Sequence, residues 1–407
     1  MEIEEANRLL CDSVDEIKDT ERLPLASSFG RVLAEDVIAP FSVPSFPKSA
    51  MDGYAVKSSE VKCASTDNPV KLRVIGERLA GDGGEICGPE GGQLTSQSQG
   101  TALRIMTGAE VPEGFDAVVR QEDTDYGEAE VSIYKSVEPY TNYCKVGEDI
   151  REGETVVSSG RKVGRIEAGV LASLGVAEVS VIRKLRVSII STGSELREVG
   201  EILEKGTIYN SISYTIMAAL NEPCFLVESS ICKDDKEEIK SSITKALESS
   251  DIVITTGGVS VGKKDLLPEV LEEIGAMKLF SRVNIQPGTP TIGSVKDGKV
   301  ILSLSGNPYA ALANFDCYFW MVASKMTGCS TFDTEFAEAE LASEYNKVSK
   351  HRRLLRAKLS DGKVYLPEKG HASSVMSNII NCNCYVDIPS ETPVKVGDRV
   401  KVRIMPV

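Results

Sequence analysis

The chain has 407 residues, beyond the ~250 to 300 at which one hydrophobic core stops growing, so several domains are expected. Its net charge of −14 argues against broad nucleic-acid binding driven by counterion release, and a small anionic ligand would need a local positive pocket against the repelling global field. No apolar run is long enough to cross a bilayer, the ten cysteines contain no CxxC pair, and His351 and His371 are the only histidines, which disfavours a membrane span, structural zinc and histidine catalysis.

Chemistry is thereby left to carboxylates, lysines, hydroxyls, backbone dipoles or a bound cation, with reduced thiols in a cytoplasmic setting. The opening MEIEEANRLLCDSVDEI places Ile3, Ala6, Leu10, Val14 and Ile17 along one helical face, an acidic amphipathic helix rather than a signal peptide. GRVLAEDVIAP predicts a strand leaving at Pro40. FSVPSFPKSAMDGYAV follows, and Pro44 and Pro47 make it a rigid loop with Ser49 and Asp52 at its tip. An Asx-turn is the structural role open to Asp52.

Residues 60 to 145 read as short strands between turns, a small β domain, and RIMTGA puts Arg104 and Thr107 at a strand end beside Gly108. From Val146 short strands alternate with one helix, and this return segment is expected to pack on the N-terminal one.

Residues 186 to 327 change to an α/β rhythm: RVSIISTGSEL, a helix from about Asn210 to Asn221, CFLVESS, a helix after Asp234, then DIVITTGGVSVGKKD and the Leu266 helix. MKLFSRVN, VILSLSGNP and a long apolar helix ending near Gly328 complete it. Such alternation predicts a doubly wound sheet, whose ligands gather at the carboxyl ends of the strands. In the fifth segment, Gly257 and Gly258 permit positive φ and close approach of a ligand, Gly262 permits a further turn, and Asp265 stands about where the next helix begins. A junction of this kind offers free N–H groups and partial positive charge to a phosphate. It also serves as a plain βα turn capped by Asp265.

Three strand ends, STGSEL, TTGGVSVGKKD and SLSGNPYAA, carry glycine beside small polar residues, and that coincidence points to one shared anion or nucleotide pocket. Glu195, Asp234 and Asp265 then form an acidic rim suited to Mg2+, which bridges one or two carboxylates to phosphate oxygens. Their structural alternatives are a solvated loop carboxylate for Glu195 and an N-cap for Asp234. Asn307 followed by Pro308 likewise reads as an N-cap with proline at N1. Beyond Gly328 the chain is β again: LLRAKLSDGKVYL predicts a hairpin at Asp361 and Gly362, and CYVDIP and VKVGDRVKVRIMP complete a small sandwich or barrel. His351, Arg352, Arg353 and Arg356 form a basic cluster, either surface charge or cationic arms for an anionic site.

With SAMDGYAV, LRIMTGAEVPEGFDAVVRQED, VGEDIREGE, STGSEL, TTGGVSVGKKD and SGNP in this order, nearly the whole chain resembles the molybdopterin molybdenumtransferase family of MoeA type, which includes the C-terminal domain of gephyrin. The resemblance implies an α/β plus β multidomain fold in an elongated homodimer. Residues 1–45 and 146–185 would form a discontinuous linker and dimerisation domain, and 46–145 an inserted small β domain. Residues 186–328 would form a doubly wound, MogA-like α/β molybdopterin-binding domain, and 329–407 the C-terminal β domain. The cleft would lie between the α/β domain of one subunit and elements of the other.

It further implies a cytoplasmic, Mg2+-dependent transferase that inserts molybdate, or tungstate, into adenylylated molybdopterin with release of AMP. Molybdopterin adenylyltransferase is a candidate partner. By motif position, Asp52, Thr107, Glu195, Asp234 and Asp265 are candidate catalytic residues, the last three also metal ligands. Thr192, Gly193, Gly257, Gly258, Ser260, Gly262, Gly306, Asn307 and Pro308 would bind the pterin nucleotide, while Arg353 and Ser374 match positions of the oxyanion region. Departures from the family pattern are Pro47 and Lys48 before SAMDGYA, Ser194 in place of the aspartate of TGDEL, and Ser305 in LSGNP. A KPGKP loop here reads QPGTP, so Gln286 and Thr289 replace both lysines. Loss of two ammonium groups predicts weaker capture of a dianion, with Lys263, Lys264 or Lys48 as compensating cations. A noncatalytic pterin-binding or scaffold paralogue, and a nucleotide hydrolase using only the α/β domain, are the alternatives.

Overall fold

A computed structural model describes residues 1–82, 99–259, 266–368 and 370–405. It divides into two compact units, one of Met1–Glu35, Ser158–Ala168 and Ala177–Val407, the other of Asp36–Val157 and Gly169–Val176.

The larger unit is organised by a six-stranded sheet in the order Phe225–Cys232, Leu185–Thr192, Ile252–Thr256, Lys299–Leu304, Ile292–Lys296, Met277–Phe280. Its first four strands run parallel and the fifth is antiparallel to both neighbours. Ile252–Thr256 is buried at every residue and Leu185–Thr192 at all but Arg186, as strands covered on both faces must be. Successive side chains point to opposite faces, so Ile190, Val253 and Ile301 join the helices Lys236–Ser249 and Leu267–Glu273 in one core. Ile189, Ile254 and Leu302 join Ile3–Asp12, Ser211–Ala219 and Pro308–Thr327 in the other. From Leu185–Thr192 the chain passes outward to Phe225–Cys232 and returns on the opposite side at Ile252–Thr256. This leaves a topological switch point between two strand ends.

Pro308–Thr327 is apolar on nearly all sides and accordingly buried on nearly all sides, ending at Gly328 with φ 66°. Five strands after it close into a barrel in the order Arg352–Ser360, Lys363–Tyr365, Phe336–Leu341, Arg399–Ile404, Cys384–Ile388 and back to the first. Closure leaves no free sheet edge within the ring, which decides between the barrel and the sandwich. Asp361 and Gly362, with φ 52° and 73°, make the expected hairpin turn. One further strand, Ile285–Gln286, leaves the α/β domain to pair in parallel with Arg352 and Arg353 of the barrel.

At the N-terminal side, Thr20–Pro24 pairs antiparallel with Glu178–Ile182. The strand expected over GRVLAEDVIAP is interrupted: Val32 and Leu33 make isolated bridges to Lys162 and Val181, and only Val37–Ile38 pairs as a strand, with Thr155–Val157. Ala34, Glu35 and Asp36, poor strand formers, separate the two pairings.

In the smaller unit a five-stranded sheet runs Ala117–Arg120, Gly53–Val56, Thr101–Ile105, Val70–Arg78, Glu130–Ile133. Tyr54, Val56 and Val119 pack in one cluster, Ala55, Leu103 and Val118 in another, so both faces are covered. A Cβ on Gly53 would sit 1.9 Å from the carbonyl oxygen of Val119, so only glycine permits the close pairing that carries Asp52 to the strand edge. Among the described residues no helix is long and apolar enough to cross a membrane.

Candidate functional site

Thr192, Gly257 and Gly306, at the ends of three adjacent parallel strands, open onto one cavity of about 430 Å³. Their backbones converge closely. A Cβ on Gly257 would lie 2.5 Å from the Thr192 carbonyl oxygen, and one on Gly306 would lie 3.4 Å from the Gly257 Cα. Gly257 and Gly258 adopt φ of 95° and 65°, which turns the chain away from the sheet at little steric cost. Beneath them lies a buried chain of hydroxyls. Thr256 Oγ1 donates to Ser191 Oγ at 3.2 Å, Ser191 to Asn210 Oδ1 at 3.0 Å, and Thr192 Oγ1 to the Thr256 carbonyl at 3.1 Å. These bonds hold the strand ends in register.

Glu195 and Asp234 line the same cavity. The Glu195 carboxylate folds back over Gly193, 3.0 Å from where a Cβ would stand. The helix after Asp234 is capped by the next residue: Asp235 accepts from Glu238 N at 3.0 Å. Asp234 instead accepts from Ser194 N at 3.1 Å, and Ser194 Oγ accepts from Asp234 N at 3.3 Å, a clasp that ties two strand ends together. Asn307 stands at the N-cap position of the long helix with Pro308 at N1, yet its side chain makes no cap hydrogen bond, and it lines the cavity together with Pro308. Two carboxylates lining one hollow fit magnesium, which keeps substrate oxygens and water for its remaining positions. Among the described residues no group of three or more His, Cys, Asp or Glu forms a complete protein cage. Ser260, Gly262, Lys263, Lys264 and Asp265 lie outside the described residues.

A second cavity of about 550 Å³ adjoins the first and shares Pro290, Ser305 and Asn307 with it. Its floor is the loop Gln286–Pro290, pinned by Asn314 Nδ2, which donates to the Gly288 carbonyl at 2.9 Å. Arg353, beside Gln286 in the neighbouring strand, and His371 line it from the barrel side. Arg353, 7% exposed, donates from Nη1 to Gln286 Oε1 at 2.7 Å, and its Nε has no partner among the described residues. Burial, with Arg356 and Arg353 nearby, pushes His371 down to about 4, so at neutral pH it is an uncharged hydrogen-bonding group.

The basic cluster does not act as a unit. Arg352 is bound to Asp387 at 2.6 Å and Glu4 at 2.8 Å. Arg356, fully buried, donates to the carbonyls of Val375 and Ala372 and lies 3.8 Å over the Tyr309 ring. His351 Nδ1 is 3.0 Å from Asn284 Oδ1. Ser374 is exposed, and its neighbour Ser373 lines the second cavity while its carbonyl accepts from Tyr309 N.

In the smaller unit, Asp52 Oδ1 accepts from both Thr107 N and Thr107 Oγ1, each at 2.7 Å, so Asp52 bonds across 55 residues instead of closing a local Asx-turn. These bonds hold its carboxyl below the usual range, the backbone one foremost. Arg104 is engaged by Glu77 at 3.3 Å. Sequence reading overlooked the wall of the first cavity formed by Leu196, Ile208 and Tyr209. A two-residue parallel pairing builds it across the loop between Arg197 and Ile208, and two-residue strands leave no periodic signal.

Family models for the MoeA N-terminal region, domains I and II, match residues 1–175. A probable molybdopterin binding domain matches 188–322 and the MoeA C-terminal region, domain IV, matches 338–405. The molybdopterin molybdenumtransferase of Staphylococcus epidermidis is 35% identical over 98% of this chain and 94% of its own length. That of Staphylococcus aureus is 36% identical over 90% and 86%. The crystal structure of a molybdopterin biosynthesis MoeA protein from Pyrococcus horikoshii superimposes with a TM-score of 0.84 at 28% identity, covering 99% of both chains. With this agreement along its whole length, in a fold whose strand ends meet at one cavity, the chain belongs to the molybdopterin molybdenumtransferase family, transferases of molybdenum cofactor biosynthesis.

Proposed function

We propose that this chain inserts molybdate, or tungstate, into the dithiolene of adenylylated molybdopterin and releases AMP, assisted by magnesium. The observation that carries the reading is the pair of adjoining cavities. One is a strand-end hollow rimmed by Glu195 and Asp234, the other an arginine-walled hollow, and they share Pro290, Ser305 and Asn307. In this reading Thr192, Gly193, Gly257, Gly258 and Gly306 bring backbone dipoles to the phosphates. Glu195 and Asp234, with Asp265, hold the cation. Arg353 receives the oxyanion beside the pterin sulfurs. Magnesium bound there would offset phosphate charge and polarise the bond to the departing AMP.

Asp52 and Thr107 are assigned to the same reaction from the inserted domain, residues 46–145, with 1–45 and 146–185 serving dimerisation. A cytoplasmic homodimer receiving its substrate from molybdopterin adenylyltransferase completes the proposal. The test is AMP release and metallated-pterin formation by the full chain, given adenylylated molybdopterin, Mg2+ and either oxyanion. Oxyanion-dependent product supports the reading, and absence of both products overturns it. The QPGTP loop favours a second reading, a pterin-binding scaffold, which predicts retained pterin binding without turnover. AMP release with no need of oxyanion would indicate a nucleotide hydrolase.

A further inference from the structure

The second cavity has an unusual distribution of charge for an anion site. Its floor, the loop Gln286–Pro290, carries no cation, and the Thr289 hydroxyl is turned inward, donating to the Ile285 carbonyl at 2.6 Å. His371 is uncharged at neutral pH. Among the described residues only Arg353 and Lys347 bring positive charge to the walls, both from the barrel domain. Lys347 stands in the loop between Phe336–Leu341 and Arg352–Ser360, exposed, with no hydrogen bond or ion pair to any described residue. Arg353 is the converse, almost fully buried and aimed by Gln286 Oε1, which also accepts from Ser349 Oγ at 3.4 Å. A buried guanidinium with an unpartnered Nε and an unpaired ammonium on one hollow form an incomplete site for a doubly negative tetrahedral ion.

We infer that Lys347 supplies the second positive charge that holds the incoming oxyanion, and that Gln286 is the positioning residue that orients Arg353 toward it. The inference rests on the transferase reading above but is carried by the cavity's own inventory of charge. Lys48 belongs to the other compact unit. The barrel thus provides the charge that the floor lacks, and a neutral acceptor at position 286 orients the guanidinium without neutralising it. A carboxylate there would pair with Arg353 and cancel half of the attraction.

The test uses the full-length protein with adenylylated molybdopterin, Mg2+ and varied molybdate, beside direct molybdate binding by calorimetry. Lys347→Met is expected to raise the KM and Kd for molybdate about tenfold while the KM for the pterin nucleotide moves less than about twofold. Lys347→Arg is expected to restore most of the loss. Gln286→Glu is expected to weaken molybdate more than Gln286→Leu does, because it adds a negative charge where Leu only frees Arg353. An unchanged molybdate Kd in Lys347→Met, or no measurable molybdate binding by the wild-type chain, overturns the inference. Equal effects of the Glu and Leu variants overturn the role of Gln286. If wild type binds molybdate yet yields no product, the transferase reading fails while the calorimetric comparison still decides the role of Lys347.

Discussion

Asp52 and Thr107 are joined twice through a single carboxylate oxygen, at 2.7 Å to the amide and 2.7 Å to the hydroxyl. Thr107→Val deletes only the second bond. The Asp52 carboxyl is then expected to titrate closer to the ordinary 3.8 but still below it, because the backbone bond, the stronger of the two influences, remains. Its folded pKa is depressed, so its contribution to stability is complete above 3.8 and is lost as the pH falls through the folded value. Carbon-detected NMR titration of Asp52 in both proteins checks this, and identical midpoints would disprove it.

Asp234 and Asp235 are adjacent, yet they are expected to fail in different ways. Asp235→Ala removes the cap on Glu238 N and should cost about 1 kcal/mol of stability with turnover intact. Asp234→Asn keeps an oxygen for Ser194 N but loses a charge facing the cavity. Its apparent affinity for Mg2+ in the AMP-release assay should fall at least about tenfold at nearly unchanged stability. Urea melts combined with magnesium titrations separate the two, and an Asp234→Asn variant with normal magnesium dependence would remove that residue from the proposed metal site.

Gly257→Ala is expected to destabilise the larger unit by roughly 2 kcal/mol or more, since it combines φ 95° with a methyl group 2.5 Å from a carbonyl oxygen. Gly275→Ala, at φ 74° with open space around it, isolates the cost of the backbone conformation. The difference between the two melting temperatures measures the convergence of the Thr192 and Gly257 strand ends.

Asp316 lies buried in the long helix, accepting from Tyr385 Oη at 2.6 Å and Trp320 Nε1 at 3.3 Å. Burial pushes its carboxyl up to about 6 against those two bonds. Here the folded pKa lies above the unfolded one, so the unfolded state binds fewer protons between the two values and stability falls as the pH rises through that window. The charge penalty is fully present above about 6 and is relieved toward 3.8. Asp316→Asn should flatten this part of the profile. Melting temperatures of both proteins across this range should diverge as the pH rises, and parallel curves would refute the assignment.

The parallel strands and their helices were legible because burial on two faces forces continuous apolar runs such as Ile252 to Ile254, and amphipathic helices such as Lys236–Ser249 show their period directly. The antiparallel strand Ile292–Lys296 was overlooked, although Asp297 and Gly298, with φ 51° and 74°, mark its hairpin as plainly as Asp361 and Gly362 mark theirs. Glycines at three strand ends pointed to the first cavity, and at Gly257, where a Cβ would stand 2.5 Å from the Thr192 carbonyl oxygen, a close meeting of backbones excludes other residues. The partners of Arg352, Arg353 and Arg356 were not legible, because charge carries no periodicity and each is settled by tertiary neighbours: Asp387, Gln286 and the Tyr309 ring. Lys347 was not legible either, because its place on the second cavity is set by how its loop packs and not by any pattern around it.

The two-residue pairing of Ile285–Gln286 with Arg352 and Arg353 stitches the floor of the second cavity to the barrel, and Leu354 and Tyr385 of the barrel share one apolar core with the long helix. Barrel and α/β domain are thereby parts of one compact unit, and any exchange of the barrel would have to reproduce the apolar face that Leu354 and Tyr385 present to that core.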